Sequence, residues 1–176
     1  MELPFAASIQ IGEAFAGEGA EAAHLNTVLG RRGGPFETAW VTALASPRSG
    51  HVPFLAVLRP DLPVLPRTLF VNKSTLTGPL HSTLTWGAAQ AGVATGVADA
   101  VAGGVIPLQD LDDLLLLAAV WVDPEARDEG AVLANNREAT RTAIERGASG
   151  FPSVDEVLAA RDTASNPFVG RATEPG

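Results

Sequence analysis

The chain has 176 residues, the size of one ordinary domain, and folding at this length buries roughly two-thirds of the surface the unfolded chain exposes. Acidic residues outnumber Lys plus Arg by 20 to 12, for a net charge of −8, the wrong sign for neutralising a phosphate backbone, so nucleic acid is not expected as a partner. Cysteine is absent, which excludes disulfide scaffolds, thiolate metal sites and cysteine nucleophiles together.

The chain begins MELPFAAS, with an acidic residue at position 2 and no basic stretch before an apolar one, so it does not read as a secretory signal and a cytoplasmic location is expected. Within Ser8–Gly17, Ile9 and Ile11 alternate with polar neighbours, the period of a half-buried strand. After the turn-like GEGAE, Ala22–Leu29 again suits a strand, and its period puts His24, Asn26 and Val28 on one face. RRGGP at 31–35 breaks it, and Pro35 opens a short amphipathic helix through Glu37, Trp40, Val41 and Leu44.

PFLAVLR at 53–59 and TLFVNKSTL at 68–76 read as two more strands around a proline-rich connection, with Lys73 and Thr75 sharing a face. Pro79 to about Val105 has helical spacing and ends at Gly103 and Gly104. PLQDLDDL gives a short helical turn before LLLLAAVWV, whose continuous apolar character suits a strand covered on both faces. That run, the longest unbroken apolar one, is far short of a membrane span of ~20 residues, and no membrane partner is expected. A charged amphipathic helix follows over 124–147, then a helix from Ser153 with Glu156 completing a capping box, then an extended tail after Arg161. Strands joined by helices of crossover length predict an α+β two-layer sandwich. Its mixed sheet has about five strands, and the single domain covers 1–176, with a core at about 8–168 and a flexible tail at 169–176. The alanine-rich apolar fraction favours closely packed helices and a partner subunit over any wide apolar surface.

Lysine occurs once, at Lys73, against eleven arginines; its side chain suits donating to a substrate carbonyl or forming an imine with an aldehyde, or is simply a solvated strand-end cation. His24 is the imidazole best placed to exchange protons near neutral pH, or else a hydrogen-bonded structural histidine. His51 and His81 lie in a loop and near a helix start and carry less. No pair of histidines has metal-ligand spacing, so no metal is expected. RRGGP serves equally as a turn or as an anion cradle at a helix start. Dinucleotide, P-loop and GxSxG signatures are missing.

Taken together, GEAFAGEGAEAAHLN, GRRGGPFETAW, FLAVLRPDLPVLPRTLFVNKST, WGAAQAGVATGVADAVAGGVIP, NREAT and NPF closely resemble the formaldehyde-activating enzyme family, from about Ile11 to Phe168. The resemblance implies a ribosomal-protein-like domain fold and condensation of formaldehyde with tetrahydromethanopterin to the methylene derivative and water. It also implies a homopentamer with sites between subunits, tetrahydromethanopterin as co-substrate and no permanently bound cofactor. By the motifs AAH, FLAV, NKST and GAAQ it puts the proton donor at His24 and pterin contacts at Leu55, Lys73, Thr75 and Gln90. Where the family has aspartate this chain has Asn26, the substrate contact expected at that position. A neutral amide there removes a charge beside the imidazole and predicts less of its protonated form, the proton donor, at neutral pH. Thr85–Trp86, Asp123–Pro124 and Asn166–Pro167–Phe168 replace a methionine–phenylalanine pair, a histidine–tryptophan pair and an HPF. These departures keep two alternatives in view: an enzyme for another amine, pterin or aldehyde, and a non-catalytic pentamer that binds one.

Overall fold

The structure, a computed structural model, describes residues 9–165. The NPF motif at 166–168 and the expected tail at 169–176 lie outside them. Strands β1 (Ile9–Ala16) and β2 (Ala23–Arg31) form an antiparallel hairpin, as the alternation predicted. β7 (Leu114–Trp121) pairs antiparallel with β2 and parallel with β6 (Arg67–Asn72), and β6 pairs antiparallel with the short β3 (Phe54–Leu55). The resulting mixed sheet has five strands in the order β1-β2-β7-β6-β3.

Both faces of β7 are covered, as its unbroken apolar run requires. On one side Leu114, Leu116, Ala118 and Val120 join Leu25 and Phe70 beneath α3 (Gln90–Ala102) and α4 (Glu129–Ser149). On the other, α1 (Pro35–Ala45) lays Trp40 against Leu69 and Leu115, and the indole N–H donates to the Leu116 carbonyl at 2.8 Å. The architecture is an α+β sandwich with two long helices on one sheet face and one short helix over part of the other.

Helices α3 and α4 approach closely because α3 has glycine at the contact. A Cβ at Gly92 would stand 2.4 Å from the Leu133 carbonyl oxygen, and one at Gly96 would stand 2.5 Å from that of Arg137. Before α3, α2 (Pro79–Thr83) runs into a wide π-helical turn over Leu84–Ala89, so the expected long helix forms with one irregular turn and ends at Ala102. No helix of the described residues is long and apolar enough to cross a membrane.

Three boundaries differ from expectation. PFLAVLR is not one strand: after β3, Ala56 donates to the Thr68 carbonyl and accepts from Val64 N–H. The chain there changes partner, and β4 (Val57–Arg59) pairs with β5 (Leu62–Pro63) in a separate hairpin. β6 ends at Asn72 rather than 76, because Asn72 turns its amide N–H₂ to the carbonyls of Gly50 and Ser74 and draws the chain into a loop. α4 begins at Glu129 rather than at Pro124, because the Asp128 carboxylate caps it by accepting from Ala131 N–H. The capping box predicted at Ser153 and Glu156 opens α5 (Val154–Ala160).

Candidate functional site

On the sheet face opposite α3 and α4, α1 leaves one end uncovered. Strand register assembles that end: Glu13 stands across from Asn26 and Phe15 across from His24. On the other side of β2, Asn26 stands across from Ala119 and His24 from Trp121. The predicted same-face pair, His24 and Asn26, is therefore present and half-buried.

His24 Nε2 lies 2.9 Å from Glu13 Oε1, a diagonal pair across the β1–β2 ladder of the kind long side chains make. A carboxylate only accepts, so Nε2 carries the hydrogen. The Phe15 ring stands 6.2 Å from the imidazole, centroid to centroid. Lys73 backbone N–H donates to the Val120 carbonyl at 2.7 Å, extending the β6–β7 ladder by one residue. Its ammonium then donates to Asn26 Oδ1, crossing β7 where register puts the small Ala119 beside Asn26.

The amide oxygen of Asn26 accepts from Lys73, and the carboxylate beside His24 is Glu13. One expectation about this cluster is corrected. Thr75 shares no strand face with Lys73, because β6 has ended; it lies in the loop, where its hydroxyl meets His51 Nε2 at 3.3 Å. His51 donates through Nδ1 to the Asn72 carbonyl at 2.9 Å. The same loop is tied down by buried His81, whose Nε2 donates to the Val122 carbonyl at 3.0 Å while Nδ1 accepts from Thr77 N–H at 3.2 Å. His51 and His81 thus secure the segment that carries Lys73 and Thr75.

Leu55 lies on the same sheet face but against α1, packed with Trp40, Leu69 and Leu115, where it lines a cavity of about 290 Å³ with Val41, Leu44 and Leu65. Gln90 is on the opposite side, buried at the start of α3, and its side-chain oxygen accepts from Val57 N–H. His24, Asn26 and Lys73 are brought together, Thr75 follows Lys73 by two residues, and Leu55 and Gln90 stand apart from them. Trp86 is 45% exposed in the π turn while Thr85 faces inward. Asp123 turns the chain toward α4 by accepting from Glu125 N–H.

RRGGP is a turn whose anion is its own: Glu37 accepts from Gly33 N–H at 2.8 Å and from Arg32 Nε at 3.0 Å. The Gly33 amide first, then the Arg32 guanidinium, holds the Glu37 carboxyl below its ordinary range. Among the described residues no three His, Asp or Glu gather to hold a metal ion. Glu13 is the residue that the reading of the sequence missed. Its signal was available: in β1 the positions Ile9, Ile11 and Phe15 share a phase, and Glu13 is a charge in that apolar phase.

The model of a family described as formaldehyde-activating enzyme matches residues 11–169. The chain is 45% identical over 158 residues to the 5,6,7,8-tetrahydromethanopterin hydro-lyase of Methanosarcina barkeri, covering 90% of this chain and 89% of that protein. It is 41% identical to the bifunctional enzyme Fae/Hps of Methanosphaera stadtmanae and 42% identical to that of Archaeoglobus fulgidus, spanning 40% and 41% of their lengths.

Proposed function

The chain belongs to the formaldehyde-activating enzyme family, and from that premise we propose that the His24–Asn26–Lys73 end of its sheet condenses formaldehyde with tetrahydromethanopterin, giving the methylene derivative and water. The observation that supports this reading most is that a proton-carrying imidazole and the chain's one lysine share an uncovered apolar sheet face, linked through Asn26 on the strand that carries His24.

One pterin nitrogen adds to the formaldehyde carbon and yields a carbinolamine, whose hydroxide is a poor leaving group. His24, as imidazolium, gives its proton to that oxygen while the C–O bond breaks, so that water leaves and an iminium remains. The second pterin nitrogen attacks the iminium carbon and releases its proton, which the neutral imidazole accepts. Two N–H bonds and one C=O have become N–CH₂–N and water, and His24 is ready again.

Lys73 and Thr75 orient the polar edge of the pterin, and Asn26 holds the Lys73 ammonium in place. Leu55 packs against the ring system. Gln90 acts from behind the sheet by holding Val57, two residues along from Leu55. The co-substrate comes and goes with each turnover, and no cofactor stays bound. The enzyme works in the cytoplasm, in one-carbon metabolism and formaldehyde detoxification, as a homopentamer whose neighbouring subunit completes the site. Exposed Ile11 and Phe15, beside half-buried Val28, Leu117 and Trp121, support that assembly by lining the face around His24.

Formaldehyde adds to reduced pterins unaided, so the test is acceleration. Stopped-flow mixing of formaldehyde with tetrahydromethanopterin or tetrahydrofolate, with and without protein, should show faster condensation with the former. No acceleration of either overturns the reading. Light scattering checks the pentamer, and a monomer at micromolar concentration removes the shared site.

A further inference from the structure

We infer that Glu13 is the positioning residue of His24, supplying from β1 the carboxylate that position 26 does not; the inference rests on the function proposed above. The imidazole donates through Nε2 to Glu13 Oε1 at 2.9 Å. The carboxylate is itself held from the other layer. Arg146 of α4 reaches around the edge of the sheet, donates from Nη1 to the Glu13 carbonyl at 3.0 Å and stands 3.7 Å from Oε2. Its guanidinium lies over the Phe151 ring, 5.0 Å from the centroid. One oxygen of Glu13 therefore serves His24 and the other faces Arg146.

Stability does not account for this arrangement. The Glu13 side chain is 52% exposed, and an exposed ion pair contributes ~0–1 kcal/mol. The charge also occupies a position whose phase in β1 otherwise carries Ile9, Ile11 and Phe15. What the pair does supply is orientation. An outer carboxylate fixes both the tautomer and the ring plane of an imidazole, and steadies the imidazolium each time it forms. With Nε2–H kept by Glu13, Nδ1 is the nitrogen that exchanges a proton with substrate. Asn26 is then relieved of that duty and serves Lys73.

Four variants test this: Glu13→Ala, Glu13→Gln, His24→Ala and the double Glu13→Ala/His24→Ala. Glu13→Ala should lower kcat roughly ten- to a hundredfold, the range for losing an outer partner of a functional imidazole, with KM little changed. Glu13→Gln, whose amide oxygen still accepts from Nε2–H, should recover part of the loss. Because Glu13 acts through His24, the double variant should be no slower than His24→Ala alone. Nitrogen-15 NMR of the His24 ring should show the Nε2–H tautomer in the parent and in Glu13→Gln and mixed tautomers in Glu13→Ala. Multiplying losses in the double variant, or an unchanged tautomer and kcat in Glu13→Ala, overturn the inference. Glu13→Asp, which keeps the charge but withdraws the acceptor by one methylene, takes the place of Glu13→Ala should that variant not fold. If the parent gives no acceleration, the proposed reaction fails, and the tautomer signature alone decides whether Glu13 holds the ring.

Discussion

His24 and Lys73 flank β7 on the same sheet face, and each has a different task, so their substitutions should be separable. His24→Ala removes the proton carrier and should lower kcat by about two to four orders of magnitude, the contribution of a positioned acid–base group. The subunit should still fold, because the ring is half-buried on the uncovered face rather than in the core. Lys73→Arg puts a longer, planar guanidinium where a compact ammonium passes over Ala119 to reach Asn26. It should raise KM more than it lowers kcat. Steady-state kinetics of both variants check this, and parent-like turnover in both would relocate the site. Much of this cluster was legible in the sequence: a period of two put His24 and Asn26 on one face, and the lone lysine drew notice by its rarity. Which neighbour each side chain would choose was not legible. Glu13 reaches His24 only because the register of the β1–β2 hairpin sets it diagonally across, and a period within one strand carries no information about the next.

Helix α3 is the element on which the packing of the two layers turns. A Cβ at Gly96 would stand 2.5 Å from the Arg137 carbonyl oxygen and 2.8 Å from Thr140 Cβ, so any side chain must push α4 outward, although alanine is the better helix former. Gly96→Ala should therefore destabilise the protein by about 1–3 kcal/mol, the usual cost of overpacking, read as a lower midpoint in urea. A stabilised variant would mean that α3 and α4 can separate freely. Element identities were largely legible because hydrophobic period survives translation into structure; boundaries were lost where the deciding partner is distant. Ala56 divides what looks like one strand because Thr68 and Val64 claim its two backbone groups. Both Pro124 and Asp128 are competent helix starts. The choice of Asp128 is reinforced by Glu21, far away in sequence, which accepts from the N–H groups of Arg127 and Asp128.

For the whole molecule, acid sensitivity follows from four carboxylates held below their ordinary range. The cause is the Arg127 and then the Asp128 backbone for Glu21, and the Gly33 amide and then Arg32 for Glu37. For Asp99 it is chiefly the Arg137 side chain, and for Glu156 the Ser153 hydroxyl and then its amide. A depressed carboxyl contributes stability that is present above its unfolded pKa and lost as pH falls through the folded one. Urea midpoints should thus lose little to these groups between neutrality and pH ~4.5, and fall below it. Glu21→Gln should flatten that acid limb; an equal slope in the variant would count against the account. The position of β7 carries a last consequence, for synthesis. Its run LLLLAAVW is the kind of uncharged, strand-forming segment that stacks with copies of itself when left bare. Its partners β2 and β6 both precede it in the chain, so the strands that cover its two edges have already been synthesised when it leaves the ribosome. This uncharged run is thus the last strand of the sheet to be made, and the strands that cover both its edges are there to receive it.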